Sequence, residues 1–137
     1  MIKVQSVHPD ILYQIWHLVE PLLAKGLERS GGEYTAEHLK VYILQGMQQL
    51  LVSVDEGGSI IGAASIEFIN YPNARVAFIT SIGGRMIANQ EVWDQFTSWC
   101  KHNGATMIRG AAFESVARLW KKAFGVEQRY VIVEKKL

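Results

Sequence analysis

The sequence predicts an α/β fold of mixed α+β character, in which helices flank a mixed, mostly antiparallel sheet. Three observations carry this prediction. Some stretches alternate apolar and polar residues, whereas others repeat apolar residues at helical spacing, so strands and helices alternate along the chain. Three strand patterns follow one another in the middle, separated by short turns typical of hairpins. A helical pattern then leads from the third of these strands to another strand, which is the layout of a right-handed crossover.

The first part of the chain reads as one strand followed by two helices. Alternating residues predict a strand at Ile2–Val7. Apolar positions from Ile11 to Leu23 recur at helical spacing, and Pro21 is expected to kink or end that helix. The glycine-rich stretch 24–34 predicts a loop, and Thr35 is a suitable N-cap for the second helix.

The middle of the chain reads as three strands joined by two tight turns. The strands are predicted at Gln49–Val54, Ile60–Ile69 and Arg75–Ile82. The turns are DEGGS (55–59) and NYPNA (70–74), which contain the glycine, proline, asparagine and aspartate typical of turns. Consecutive strands with such short connections pair antiparallel, so this part predicts a meander.

The last part of the chain reads as helix, strand, helix, strand. A helix capped by asparagine is predicted over 89–103, and a buried strand follows at Thr106–Ala111. Ser115 is the expected N-cap of a short helix that Gly125 ends. A final strand is predicted at Val126–Glu134. The complete predicted order is β-α-α-β-β-β-α-β-α-β.

Composition narrows the classes of function. The chain has 137 residues, which suits a single domain spanning 1–137, and its 14 basic and 13 acidic residues give a net charge of +1. We therefore expect no nucleic-acid partner, and the lack of a long apolar run predicts no membrane partner and a cytoplasmic protein. Cys100 is expected to be a buried thiol, and the scattered histidines predict no metal site.

Three stretches resemble one known family. They are EGGSIIGAASIEFINYPNARVAFITSI (56–82), ANQEVWDQFTSWCKHNGATMIRG (88–110) and ESVARLWKKAFGVEQRYVIVEK (114–135). In element order and pattern they resemble the GNAT superfamily, the Gcn5-related N-acetyltransferases. The resemblance covers essentially the whole chain, and it implies a single GNAT-like domain in which the strands at Arg75–Ile82 and Thr106–Ala111 are parallel neighbours that splay apart to leave a cleft.

The resemblance implies acetyl transfer from acetyl-CoA to an amine. In that family a glycine-rich loop and the helix behind it hold the pyrophosphate, a base takes the amine proton, and a tyrosine protonates the thiolate. Glu67 is the first candidate for the base here, and Glu114 is the second; a solvated carboxylate or a helix-end charge is the more common role of such residues. If acetyl-CoA binds, the implied contacts are Ile82, Gly83, Gly84, Arg85, Ala88 and Asn89.

The sequence departs from the family pattern at two places. Ala88 and Gln90 stand where the loop needs glycine and a small residue, and their side chains would crowd a phosphate. Lys121, with Trp120 beside it, occupies the position of the tyrosine. The sequence therefore predicts that acetyl-CoA binds weakly or not at all, so that no cofactor is expected.

Two hypotheses follow. In the first, the chain is a degenerate GNAT-fold protein that binds another protein, through the 24–34 loop and Trp120, Lys121 and Lys122 of the last helix. It is similar to internal virion proteins of short-tailed bacteriophages in its AFITS strand and RLWKKAFG helix end, which implies a location in the virion or the host cytoplasm. In the alternative, the chain is an active N-acetyltransferase that holds acetyl-CoA through strand backbone contacts and a helix dipole.

Overall fold

The computed structural model describes residues 1–86 and 89–137. A single 3₁₀ turn at Pro9–Ile11 precedes the first helix. The strands and helices are β1 (Lys3–Val7), α1 (Leu12–Leu27), α2 (Ala36–Leu44), β2 (Gln49–Val54), β3 (Ile60–Tyr71), β4 (Ala74–Gly84), α3 (Gln90–His102), β5 (Met107–Gly110) and α4 (Glu114–Phe124).

The strands form a five-stranded sheet in the order β1-β2-β3-β4-β5. The first three pairs are antiparallel, and β4 pairs with β5 in parallel. This parallel ladder is short, because it joins only Val76–Ile79 to Met107–Gly110. The sheet confirms the predicted fold class, and it confirms that β4 and β5 are parallel neighbours joined by α3.

The sheet is buried on both faces, and alternating residues serve the two sides. Leu50 and Val52 of β2 belong to one apolar cluster, which α1 and α2 complete. Leu51 belongs to a second cluster, which includes Phe96 and Cys100 of α3. Successive side chains of a strand point to opposite faces, so one run of apolar residues supplies both clusters.

Local capping signals are confirmed. Thr35 Oγ1 accepts a hydrogen bond from the backbone N–H of His38 at 3.2 Å, and His38 Nδ1 accepts one from the N–H of Thr35 at 3.0 Å. Asn89 Oδ1 accepts from the N–H of Val92 at 3.0 Å. Gly125 ends α4 with a φ of 69°, a left-handed conformation that glycine adopts without strain.

Two helix boundaries differ from the prediction. Pro21 does not end α1, which continues to Leu27 and so takes in the first part of the predicted 24–34 loop. Pro21 and His17 are both exposed residues, so the missing hydrogen bond lies on the solvent side of the helix, where a break in the ladder is tolerated. The last helix begins at Glu114 with Phe113 at the N-cap position, two residues earlier than a Ser115 cap predicts.

The predicted final strand at Val126–Glu134 is wrong as an element. The chain after Gly125 forms neither helix nor strand. The run around Val131 favours a strand by composition, but a strand also requires a neighbour that accepts its hydrogen bonds, and local sequence does not supply one.

Among the helices of residues 1–86 and 89–137, none is both long and apolar enough to cross a membrane.

Candidate functional site

A cleft of about 550 Å³ opens where β4 and β5 part. β5 ends at Gly110, opposite Ile79, whereas β4 continues to Gly84 without a neighbour on that side. A volume of this size is within the range of small-molecule sites, roughly 300–1,000 Å³. The described residues that line it are Pro21, Leu22, Lys25, Gly26, Arg29 and Ser30 on and after α1, Ile79, Thr80, Ser81, Ile82, Gly83 and Gly84 on β4, and Ala111, Ala112, Val116, Leu119 and Trp120 beyond β5.

A β-bulge lies at the point where the two strands part. Ser65 of β3 pairs with Ser81, but the next residue, Ile66, pairs with Ile79, so Thr80 is an extra residue in β4. A bulge bends its strand and changes where the following groups point. The bulge therefore bends β4 away from the line of β5 and helps to open the cleft.

Thr80 joins a buried chain of polar side chains that reaches the cleft. Its Oγ1 lies 2.6 Å from Ser65 Oγ and 2.7 Å from Gln48 Oε1. Both hydroxyl protons have an acceptor when the Ser65 hydroxyl donates to Thr80 Oγ1 and the Thr80 hydroxyl donates to Gln48 Oε1. All three residues are buried, so the chain fixes the bulge, because an unmade hydrogen bond there would be costly.

The end of α1 lies directly on β4, backbone against backbone. Ser81 Oγ donates to the carbonyl of Leu23 at 2.8 Å. A Cβ atom on Gly83 would collide with the carbonyl of Leu22, and one on Gly26 would collide with Ser81. The absence of side chains at these glycines is therefore required by helix packing, and it sets how close α1 comes to the cleft.

The cleft is apolar and cationic. Lys25 and Arg29 are the charged side chains among the described lining residues, and those residues include no Asp, Glu, His, Tyr or Cys. Such a lining attracts anionic groups. Among the described lining residues, no carboxylate, imidazole, phenol or thiol is present to act as a general base.

The structure separates the predicted cofactor contacts. Of these residues, Ile82, Gly83 and Gly84 line the cleft, whereas Arg85 and Asn89 are not among its lining residues. The backbone N–H of Arg85 donates to the carbonyl of Ile61 at 2.8 Å, so it is already engaged within the sheet. The predicted contact at Ala88 lies outside the described residues.

Neither candidate base lines the cleft. Glu67 is half-buried on β3, close enough to Tyr34 that burial first, and then the charge of Glu67, raise the pKa of that tyrosine above its ordinary 10.0. Glu114 has a side chain that is 87% exposed and lies 3.5 Å from the guanidinium of Arg118. The first carboxylate sits beside a neutral phenol and the second in water.

Trp120 occupies the α4 side of the cleft. A Cβ atom built on Gly110 would lie 3.1 Å from its ring, so the indole covers the end of β5. Lys121, which stands at the position of the family tyrosine, is exposed and not a lining residue. On the α4 side, the described lining therefore has the apolar ring of Trp120 and not the residue at the tyrosine position.

Sequence reasoning placed Lys25 and Arg29 in the 24–34 loop of the expected binding surface, but it did not name them or Thr80 as lining residues. Lys25 lies in α1, because Pro21 does not end the helix, whereas Arg29 follows the helix as a loop residue. A signal for Thr80 existed in the sequence, since two hydroxyl residues, Thr80 and Ser81, interrupt an otherwise apolar strand.

No protein-family model and no curated protein matches this sequence. Solved structures match over nearly the whole chain. A ribosomal-protein-alanine N-acetyltransferase from Brucella melitensis biovar Abortus 2308 has a TM-score of 0.67 at 11% identity, covering 99% of this chain and 100% of that chain. A predicted acetyltransferase with acetyl-CoA from Clostridium acetobutylicum has a TM-score of 0.65 at 15% identity, with coverages of 99% and 96%.

A third similar structure is glucosamine-6-phosphate N-acetyltransferase from Arabidopsis thaliana, with a TM-score of 0.63 at 14% identity, covering 99% of this chain and 98% of that chain. Similarity at these identities defines the fold. The chain has the GNAT fold, as its sequence resemblance predicts.

Proposed function

We propose that this chain is a GNAT-fold protein that has lost acetyl transfer and works by binding a protein partner at its cleft. One observation carries the proposal. The described residues that line the cleft include no group able to take the proton from an attacking amine. General-base catalysis requires such a group within hydrogen-bond reach, directly or through one water molecule.

The environment of the α3 N-terminus also disfavours acetyl-CoA. Glu91 lies in the first turn of α3, and Gln90 Nε2 donates to the carboxylate of Asp94 at 2.8 Å. Acidic side chains stabilise a helix start, but they repel the pyrophosphate that this helix would otherwise attract. The N–H of Val92 already donates to the Asn89 side chain. The acidic side chains and this cap therefore both disfavour binding of the pyrophosphate at the start of α3.

The chemistry of the cleft mouth indicates the kind of partner. We define the cleft-mouth surface as Lys25, Arg29, Leu119 and Trp120, which line one cleft from opposite sides. Leu119 is 63% exposed, and Trp120 is half-buried. Aromatic and apolar anchors surrounded by charged side chains are typical of protein interfaces. The partner is a protein segment that brings acidic side chains to the cations and an apolar anchor to the cleft.

The first experiment is titration calorimetry with acetyl-CoA at neutral pH. We expect a dissociation constant no better than roughly 1 mM, about 4 kcal/mol of binding free energy. A micromolar constant would contradict the loss of the cofactor and would favour the second candidate below.

The second experiment is capture of a protein partner. The resemblance to internal virion proteins makes phage particles and infected-cell extracts the sources to use. We expect Lys25→Glu with Arg29→Glu to abolish capture, because the cleft would then repel an acidic segment. Lys3→Glu with Lys101→Glu is the matched control, since it makes the same change of charge on residues that do not line the cleft.

Lys121→Glu with Lys122→Glu tests the rim of the same surface. These lysines are exposed in the last turn of α4, next to Trp120. We expect a partial loss of capture, smaller than for the cleft pair, because charges on a rim contribute mainly to the association rate. Unchanged capture in both the cleft variant and the rim variant would exclude the cleft mouth as the binding surface.

The second candidate is an active N-acetyltransferase with acetyl-CoA as its cofactor. Its support is the part of β4 along residues 80–84, which lines a cleft of about 550 Å³ beyond the last residue that pairs with β5. An extended amide-containing group could pair with that backbone as a strand does. Acetylation of an amine panel, with release of free CoA as the readout, separates the two candidates.

A further inference from the structure

The strand β1 forms one edge of the sheet, since β2 is its strand neighbour in the part of the chain that the structure describes. In an antiparallel pair, the N–H and C=O groups of alternate residues point away from the partner strand. A row of such groups is a template on which another strand can pair. An edge of this kind therefore accepts a further strand unless another group closes it.

A side chain of α3 closes the β1 edge. Gln95 Oε1 accepts a hydrogen bond from the N–H of Val4, and Gln95 Nε2 donates one to the carbonyl of Ile2, each at 2.8 Å. One residue of a parallel neighbouring strand makes the same two bonds, to the two residues that flank its partner. The amide of Gln95 therefore stands where a peptide group of an added strand would bind.

Core packing holds Gln95 beside β1. The next residue of α3, Phe96, is fully buried in the second apolar cluster, and Val4 packs against the same cluster. Val4 and Gln95 are both half-buried. A polar group that loses its partner at such a place is only partly rehydrated, so opening this contact is costly.

Lys3 acts in the same direction as Gln95. It lies between the two residues that Gln95 binds, and it is exposed. A lysine on an edge strand disfavours pairing with another strand, because the charge would lose water. The β1 edge thus combines a side chain that occupies its backbone groups with a charge that opposes a neighbour.

We propose that Gln95 is an autoinhibitory contact, which closes the β1 edge and prevents this chain from pairing along β1 with a second copy of itself. A second copy is the relevant strand donor because the same edge, repeated by a two-fold axis, is self-complementary in an antiparallel pair. This inference does not depend on the proposed function.

The first test measures the amide hydrogen exchange of Val4 in the full chain by NMR. We expect slow exchange in the unmodified protein. Gln95→Leu removes the acceptor and should speed the exchange about tenfold, the factor that corresponds to one hydrogen bond. Gln95→Glu keeps an acceptor for the same N–H, so Val4 should exchange nearly as slowly as in the unmodified protein.

The second test measures mass in solution by light scattering over a series of protein concentrations. We expect Gln95→Leu to reach twice the mass of the unmodified protein. Adding Val4→Pro should restore the unmodified mass, because proline has no N–H to offer an added strand. Gln90→Leu is the matched control, since Gln90 is exposed on the same helix and also makes one side-chain hydrogen bond, to Asp94. It should keep the unmodified mass.

Four results would overturn the proposal. Fast exchange of Val4 in the unmodified protein would show an open edge, and that result needs no variant to fold. Equal exchange in Gln95→Leu and the unmodified protein would show that the amide does not protect Val4. Fast exchange in Gln95→Leu with an unchanged mass would show that the opened edge does not pair. An equal rise in mass in Gln90→Leu would show association through added apolar surface.

Discussion

Residues 1–100 and residues 101–137 differ in how many of their side chains are buried. Leu12, Leu23 and Phe96 are fully buried in the first part, between α1, α3 and the sheet. Within the described stretch 101–137, no residue is buried. The two parts are joined by the short parallel ladder between β4 and β5, by the Phe124 ring, which stacks on Trp93 at 4.8 Å, and by Ile108, which packs against the second cluster.

This difference separates stability from binding. The apolar area removed from water lies in the first part, so most of the folding free energy resides there. Exposed backbone and few buried contacts characterise regions that open locally at low cost. The cleft lies between the two parts, with α1 and β4 on one side and α4 on the other. The α1 and β4 wall of the cleft is therefore fixed by core packing, whereas the α4 wall can change position when a partner binds.

The largest expected effect compares Phe96→Ala with Leu119→Ala. Phe96 is fully buried, so we expect its truncation to lower the free energy of unfolding by about 3–5 kcal/mol, through lost burial and a cavity. Leu119 is mostly exposed, and its truncation should change that free energy by less than about 0.5 kcal/mol. Urea denaturation measures both.

Equal effects of the two truncations would contradict the comparison, because Leu119 would then have to be buried in solution. If Leu119→Ala destabilises only at high protein concentration, a second copy covers α4.

The next effect tests the seating of α1 on β4. We expect Gly83→Ala to lower the free energy of unfolding by about 1–3 kcal/mol, because the added Cβ overlaps the Leu22 carbonyl and the two backbones must separate. Gly57→Ala in the hairpin turn is the control. Its Cβ would meet only the Asp55 carboxylate, at an ordinary 3.4 Å. A neutral Gly83→Ala would show that α1 does not lie against β4 as described.

Elements that depend on local chemistry were predictable from the sequence. The caps at Thr35 and Asn89 and the stop at Gly125 rest on hydrogen bonds or backbone conformations within a few residues, and each is confirmed. The parallel pairing of β4 with β5 was predictable because the crossover rule has few exceptions. In the cleft, Ile82 to Gly84 are lining residues, and their predicted role as cofactor contacts stays a prediction.

Features set by distant contacts were not predictable. The continuation of α1 through Pro21 depends on which side of the helix faces water, so Lys25 was placed in a loop although it lies in α1. The failure of the final strand depends on whether β5 and its surroundings can cover an apolar run, which no local pattern records. Glu67 was chosen as a base by strand position, but the cleft opens on the other side of the bulge at Thr80, where β4 loses its neighbour β5.

The third effect is a pH dependence confined to the core. Burial raises the pKa of the Cys100 thiol from its ordinary 9.0 to about 12. Above pH 9 the unfolded thiol loses its proton while the folded thiol keeps it, so the unfolded state binds fewer protons. Stability should therefore fall as pH rises from about 9 to about 12, by at most about 1.4 kcal/mol per pH unit for this one proton.

Cys100→Ala provides the reference for that pH dependence. Other groups titrate in the same range, so the difference in slope between the two proteins isolates the thiol. We expect a shallower alkaline decline in the variant. A free thiol that reacts with Ellman's reagent at neutral pH faster than the protein unfolds would contradict the burial of Cys100.

The smallest effect concerns Glu114 and decides between two roles for it. Its carboxylate is exposed and pairs with Arg118 one helical turn away. Pairs of this kind are screened by water, so Glu114→Gln should change the free energy of unfolding by less than about 0.5 kcal/mol in thermal or urea denaturation. If the chain acetylates an amine at all, the same variant should leave the rate and its pH profile unchanged, because the side chain does not line the cleft.

Arg118→Gln removes the other partner of the ion pair and is the matched control. A loss of rate in Glu114→Gln, but not in Arg118→Gln, would give this carboxylate a catalytic role and would place functional chemistry in the exposed part of the molecule.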